Sequence, residues 1–235
     1  MPRPGRGVSA RLRLLGVETG SDACSVALYV DGDVREKYQI APRRHAALLL
    51  PMIENLLSEA GLGVEELDGF ALGRGPGSFT GVRIAAAAVQ GMAFATDRPV
   101  VCISSLAALA QGALRERGAT RVLAGFDARM GEVYWGAFRA ENDLMSALQE
   151  ECVIAPEQAP VPGADGDWLG VGGAFGAYET VLGTHCRVMD PQALPRARDL
   201  MPLAVDAWNR GEAVAADQAL PVYLRDKVAW KKKSS

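Results

Sequence analysis

The sequence predicts an α/β protein of two lobes, each a mixed sheet with helices laid against it. Three strand-like segments run as a meander from residue 13, and further strands then alternate with helices, the order of a mixed sheet with crossover connections. Apolar residues switch between period two and helical spacing along the chain. A second strand series opens near residue 120 much as the first does, although no sequence repeat links the two. The 235 residues suffice for one large domain or two smaller ones, and 49% hydrophobic with 23% charged residues is near the globular average.

Taken in order, RLLGVETG (13–20) reads as a buried strand ending at a glycine turn. ACSVALYV and DVREKYQI form a hairpin across Asp31-Gly32, a pair that tolerates the positive backbone angles of a two-residue turn. Residues 43–61 predict a helix with Leu48, Leu49, Met52, Ile53, Leu56, Leu57 and Ala60 on one stripe, Pro51 inside it and Gly61 at its end. A strand over LDGFALG leads into the loop Gly73-Arg74-Gly75-Pro76-Gly77-Ser78, then a helix from about Thr80 to Asp97. The strand RPVVCISS follows, with Ser104 or Ser105 capping the next helix. Residues 120–139 give a strand, a turn at Asp127 to Gly131 and a strand with alternating Val133, Trp135 and Ala137. Residues 155–166 are loop, 167–183 a strand, glycine turn and short helix, and 195–211 a helix with Leu200, Leu203, Ala204 and Ala207 on one face. The expected division is a disordered basic tail over 1–11, an RNase H-like lobe over 12–103, a smaller second lobe over 104–220 and an extended basic segment over 221–235.

The net charge of −3 hides an uneven spread. Nine basic side chains lie at the ends: Arg3, Arg6, Arg11, Arg13, Arg225, Lys227 and Lys231 to Lys233, with the acidic Asp226 beside the last five. The body between 14 and 224 keeps 16 basic and 27 acidic residues, a net of −11, which repels a phosphate backbone and argues against nucleic-acid binding by the isolated chain. No apolar run reaches the roughly 18 residues of a membrane span, and the first 16 residues lack the apolar core of a secretory signal. Cys24, Cys102, Cys152 and Cys186 show no CxxC spacing, so a reducing, cytoplasmic setting is expected. His45 and His185 lack partners at metal-ligand spacing, and no metal is expected here.

The glycine loop admits two readings. Strand-to-helix glycine loops bind phosphate through backbone N–H groups and the helix dipole. Arg74, Gly75, Gly77 and Ser78 are the residues a weak nucleotide or anion contact would use. Against this, the loop lacks the lysine of GxxxxGK[ST], and neither glycine register completes GxGxxG. The second reading is a tight turn around Pro76 with Ser78 or Thr80 as helix cap, and it is favoured, because such turns carry glycine without any ligand. In the following helix Gly81, Ala85, Ala88 and Ala95 share a face with Met92, small enough for another helix to pack closely. Leu50 and Phe94 fall off the main stripes of their helices, and helices apolar on more than one side suggest a partner. The candidate interface is Leu48, Leu49, Met52, Gly81, Arg83, Ala85, Ala88 and Met92. No catalytic set emerges: Glu18-Thr19 and Asp127 end the first strand of each unit, one carboxylate per half, and strand-end acids are commonly turn residues.

The stretches ACSVAL, LLPMIENLL, GRGPGSFTGVRI, SSLAALAQG, DARMGEVYWG and PVYLRDKVAWKKK, together spanning nearly all of 13–233, resemble the bacterial TsaB (YeaZ) family of tRNA threonylcarbamoyladenosine biosynthesis proteins. The resemblance implies an actin-like ATPase-superfamily fold and a part in the threonylcarbamoyl modification of adenosine beside the anticodon of ANN-decoding tRNAs. It implies a non-catalytic paralogue that pairs with the transferase TsaD, is joined by the P-loop ATPase TsaE and forms homodimers when alone. ATP or ADP and metal are then expected in the partners, and tRNA only through the complex. The HxxxH of TsaD has no counterpart here, and the M22 glycoprotease-like label attached to some members finds no protease chemistry. The alternative is an actin-like ATPase or transferase active in its own right. Two departures stand out: Glu18 occupies the usual Asp position, and the small face of the second helix is built of alanine where glycine is common. The resemblance makes the loop the device that aims this helix, and the helix pair half of a four-helix bundle across the dimer interface. Ala88→Glu is expected to abolish association with TsaD in size-exclusion chromatography while leaving the melting temperature near wild type, since overpacking costs on the order of 1–3 kcal/mol and an unpaired carboxylate more at a closed interface.

Overall fold

The computed structural model describes residues 12–163 and 167–225; the expected basic tails over 1–11 and 226–235 lie outside the described residues. The first sheet contains β1 (Arg13–Glu18), β2 (Ala23–Val30), β3 (Asp33–Ile40), β4 (Gly69–Gly73) and β5 (Val100–Ile103), in the order β3-β2-β1-β4-β5. β1, β2 and β3 are antiparallel neighbours, whereas β4 and β5 run parallel to β1. The second sheet contains β6 (Arg121–Arg129), β7 (Glu132–Glu141), β8 (Leu144–Ala147), β9 (Cys152–Ile154), β10 (Leu169–Val171) and β11 (Val188–Asp190). Its order, β11-β10-β6-β7-β8 with β9 also on β7, repeats the first: an antiparallel meander, then two parallel strands beside the opening one. The sequence reading missed β8, β9 and β11, which are three or four residues long and too short for a period to register.

Side-chain alternation in β1 explains the layering, because successive residues of a strand point to opposite faces. Leu15 and Val17 join the core under α1 (His45–Ala60) and α2 (Phe79–Thr96) with Leu49, Ile53, Ala85 and Val89. Leu14 faces the other way, toward α6 (Ala197–Asn209), with Leu200, Met201 and Ala204. Gly16 also faces α6, and a side chain there would collide with Met201. α3 (Ser105–Arg117) joins the lobes, packing Leu106, Leu109 and Ala110 against Val122, Ala124 and Phe138 of the second sheet. The far face of that sheet is covered by α4 (Gly173–Ala177) and α5 (Glu179–Leu182), where Trp135 stacks on Phe175 at 5.6 Å.

This layering corrects two expectations. Residues 104–220 do not all belong to the second lobe: α6 crosses the first sheet, and Val214 pairs with Val100 at its edge. The apolar stripe of Leu14, Ala27, Ala71 and Val101 demands a cover, and the apolar face of α6 supplies it. Leu49, Gly81 and Ala85, placed at a partner interface from sequence, instead face this chain's own sheet; Ala85 is 0% exposed. Of the same set, Leu48, Met52, Arg83, Ala88 and Met92 are half-buried. The helix over 43–61 begins at His45, because Arg43 adopts a left-handed conformation at φ 64°.

A buried charge pair fastens α6. Asp199, 2% exposed, accepts from Arg115 Nε at 2.7 Å and Nη2 at 3.1 Å. Burial pushes its carboxyl above the ordinary range while Arg115 pulls it back down. Removing one partner of such a pair strands the other charge. Arg115→Ala is expected to cost about 2–3 kcal/mol in urea unfolding, below the fully buried case because Arg115 is part-exposed.

Candidate functional site

The loop between β4 and α2 lies directly on the turn between β1 and β2. The Ser78 N–H donates to the Gly20 carbonyl at 2.7 Å, and Thr19 Oγ1 donates to the Gly81 carbonyl at 2.8 Å. A side chain at Gly77 would run into the Gly20 carbonyl, and one at Gly81 into the Thr19 carbonyl. Glycine is required at both positions because backbone meets backbone. Gly75, at φ +91° before a cis Pro76, lets the chain turn, and its carbonyl accepts from the Ser105 N–H at 2.9 Å. The Arg74 N–H goes to the Ile103 carbonyl at 2.9 Å. Ser78 caps α2, its Oγ accepting from the Gly81 N–H at 3.4 Å, and Ser104 caps α3. Of the four residues a nucleotide or anion contact would use, Arg74 and Ser78 thus spend their N–H groups within the chain, and Gly75 and Gly77 serve the turn.

Glu18 sits behind this contact, fully buried. Its Oε1 accepts from the Gly20 N–H and its Oε2 from Ser105 Oγ, both at 2.6 Å, and a side chain at Gly73 would strike it. Burial raises its pKa, only partly offset by the hydrogen bonds from Ser105 and Gly20. The carboxyl therefore holds the strand-end turn together and does not reach solvent. Asp127, expected to end its strand, lies within β6 at the register shift before the β6–β7 turn, taking the Arg129 N–H at 2.8 Å and its guanidinium at 3.0 Å.

Between the lobes lies a cleft of about 730 Å³, walled by the β1–β2 turn, the start of α2 and the β6–β7 turn, with Phe126 and Tyr134 inside. Its three arginines are engaged: Arg83 donates to the Phe79 carbonyl at 2.9 Å, Arg129 pairs with Asp127 and Arg225 with Glu132. None is held open for a phosphate, and among the described residues no lysine lines the cleft. His45 is buried against the Ala23 carbonyl at 3.2 Å, and among the described residues no three His, Cys, Asp or Glu side chains gather as a metal site. These donors do not fit the metal and nucleotide that the superfamily implies.

The unsatisfied feature is the outer side of the helix pair. Phe94 is 85% and Leu50 52% exposed, with Ala46, Ala47, Ala87, Gly91 and Ala95 also exposed around them. Both helices cover the same face of the first sheet, so their solvent sides form one surface, rimmed by the half-buried Leu48, Met52, Ala88 and Met92. Leu50 and Phe94 were visible in the sequence as off-stripe residues but stood outside the interface set, which followed the inward stripes. Arg83 faces the cleft instead, its guanidinium 3.2 Å from the Phe79 ring centroid.

Strand order and helix placement define an α/β protein of the actin-like ATPase superfamily, and the family model described as "TsaD: tRNA N6-adenosine threonylcarbamoyltransferase" matches residues 37–233. The tRNA threonylcarbamoyladenosine biosynthesis protein TsaB of Escherichia coli is 42% identical, over 94% of this chain and 98% of that protein. TsaB of Haemophilus influenzae is 38% identical, over 94% and 97%. YeaZ from Pseudomonas aeruginosa superposes with a TM-score of 0.88 at 49% identity, over 91% of this chain and all of that one. The chain belongs to the family that this model describes and, within it, to the TsaB (YeaZ) branch of tRNA threonylcarbamoyladenosine biosynthesis proteins.

The buried Glu18 yields a pH test. A carboxyl whose folded pKa exceeds its unfolded value binds its proton more tightly when folded, so it loses stability as pH rises from about 4.5 through the raised value. Glu18→Gln is expected to melt higher than wild type at pH 8 and to lose that advantage near pH 4, as followed by thermal unfolding across the range.

Proposed function

We propose that this chain is a non-catalytic accessory subunit for the threonylcarbamoyl modification of adenosine beside the anticodon of ANN-decoding tRNAs, and that it acts by binding a TsaD-type transferase through the outer sides of α1 and α2. The observation that carries this reading is Phe94, 85% exposed on α2, together with Leu50, 52% exposed on α1, the two helices that cover one face of the first sheet. Large apolar side chains left on the solvent sides of neighbouring helices mark a protein–protein contact. The sealed Glu18, the engaged cleft arginines and the lack of a metal cluster among the described residues support a role without chemistry of its own. The match to the transferase family model supports a paralogous partner, since related folds present related helix faces.

In this reading the transferase and a TsaE-type ATPase hold the nucleotide and metal, and the chain binds none alone. tRNA is met only in the complex, as the acidic body suits. The chain pairs with itself when the transferase is absent and works in the cytoplasm. Among the described residues no helix is long and apolar enough to cross a membrane. The rival reading, an ATPase or transferase in its own right, draws on the inter-lobe cleft. ATP hydrolysis or threonylcarbamoyl transfer by the purified chain alone would establish it.

Mixing with the cognate TsaD is the deciding experiment. The wild-type chain should co-elute with it, while Phe94→Glu and Leu50→Glu should each weaken binding about 30-fold or more, the effect of losing a central anchor. Both substitutions are at exposed positions, so melting temperatures should stay within a few degrees of wild type. Undiminished binding by both variants would move the interface elsewhere.

A further inference from the structure

The last described residues turn back across the molecule. Ala219 is buried, and its carbonyl accepts from Gln90 Nε2 at 3.0 Å, tying the segment to α2. The Val222 N–H donates to the Arg74 carbonyl at 2.9 Å, so the backbone joins the glycine loop. Tyr223 stands beside Phe79, ring centroids 6.4 Å apart, and the Arg83 guanidinium lies 3.2 Å from the Phe79 ring and 4.9 Å from the Tyr223 ring. All these contacts are to the first lobe. Two residues on, the Arg225 guanidinium pairs with Glu132 and donates to the carbonyls of Ala128 at 3.2 Å and Arg129 at 3.4 Å, all in the second lobe.

We propose that residues 219–225 are a latch that holds the two lobes at a fixed opening along one side of the cleft, with Arg225 as its positioning residue. An extended chain spans at most about 3.6 Å per residue. The step from Tyr223 to Arg225 therefore has little slack, and the lobes part there only if the aromatic stack or the Arg225 cluster breaks. One nitrogen, Nη2, makes all three contacts, sharing its two N–H groups between the Glu132 carboxylate and the carbonyls of Ala128 and Arg129 at the end of a long side chain. The turn it grips needs holding: Arg129, Met130 and Gly131 adopt φ of 65°, 57° and 78° in succession, and the β6–β7 register shifts beside them. Tyr223 and Arg225 both line the cleft, so whatever enters on that side meets the latch first.

Hydrogen–deuterium exchange on the full chain tests this. Arg225→Ala should raise exchange tenfold or more in two separated segments, 127–133 of the second lobe and 74–79 of the first, while β2 and α6 stay protected. Arg225→Lys, which keeps the charge on a shorter side chain, should fall between. If exchange rises only within 220–225, the contact is a surface ion pair and the latch is refuted. Should Arg225→Ala fail to fold, Tyr223→Ala decides from the other end: exposure of 127–133 upholds the latch, and change confined to the first lobe overturns it.

Discussion

The fold turns on one close approach, that of the β4–α2 loop to the β1–β2 turn. Gly77 and Gly81 let two stretches of backbone touch where any side chain would intervene. The Ser78–Gly20 and Thr19–Gly81 hydrogen bonds then fix the direction in which α2 leaves the sheet. Glu18 closes the arrangement from below, bridging Gly20 and Ser105, and so brings the start of α3 into the same knot. Through α3 the second sheet is placed as well, because Leu106 and Leu109 pack directly against it.

This knot takes up part of the glycine loop that a phosphate loop would turn toward its ligand. A phosphate loop needs N–H groups pointing outward and unpaired. Here the Ser78 N–H is turned inward onto a carbonyl, and the strand-end acid is sealed from solvent. The geometry that a relative could use for chemistry is spent on aiming a helix. What α2 presents outward is apolar and small at Ala87, Gly91 and Ala95, with Phe79 and Phe94 the large exposed side chains.

Much of the first lobe was legible in sequence. The Asp31-Gly32 hairpin, the Ser104 cap and the long helices announce themselves through local chemistry that needs no partner. In the second sheet β6 and β7 were legible through their nine and ten residues and β10 through the apolar run before its glycine turn, whereas β8, β9 and β11, of three or four residues, were not. Leu49, Gly81 and Ala85 were assigned to a partner face, and they are buried in the chain itself for a physical reason. In α1 the strongest apolar stripe covers the chain's own sheet, and Leu49 lies on it; the outward residues are the exceptions to that stripe, Leu50 among them. The glycine at 81 looked like a place for another helix and is a place for the Thr19 carbonyl. Composition and spacing cannot tell those two uses of a missing side chain apart. The return of α6 to the first sheet was hidden too, since about ninety residues separate β5 from it and no local signal spans that distance.

The crowding beneath Gly81 also has a bearing on how this chain can diversify. Orientation of α2 is settled on its inner side, at positions that admit no side chain, whereas Ala87, Gly91 and Ala95 on the outer side face open solvent. The two tasks are therefore separable in the genome. Lineages are free to rewrite the outer residues, matching a drifting partner one substitution at a time, without disturbing the frame that presents them. Variation should accumulate outward and stop at the backbone contact, so the tolerance of each α2 position to exchange reads out its distance from Thr19 and Gly20.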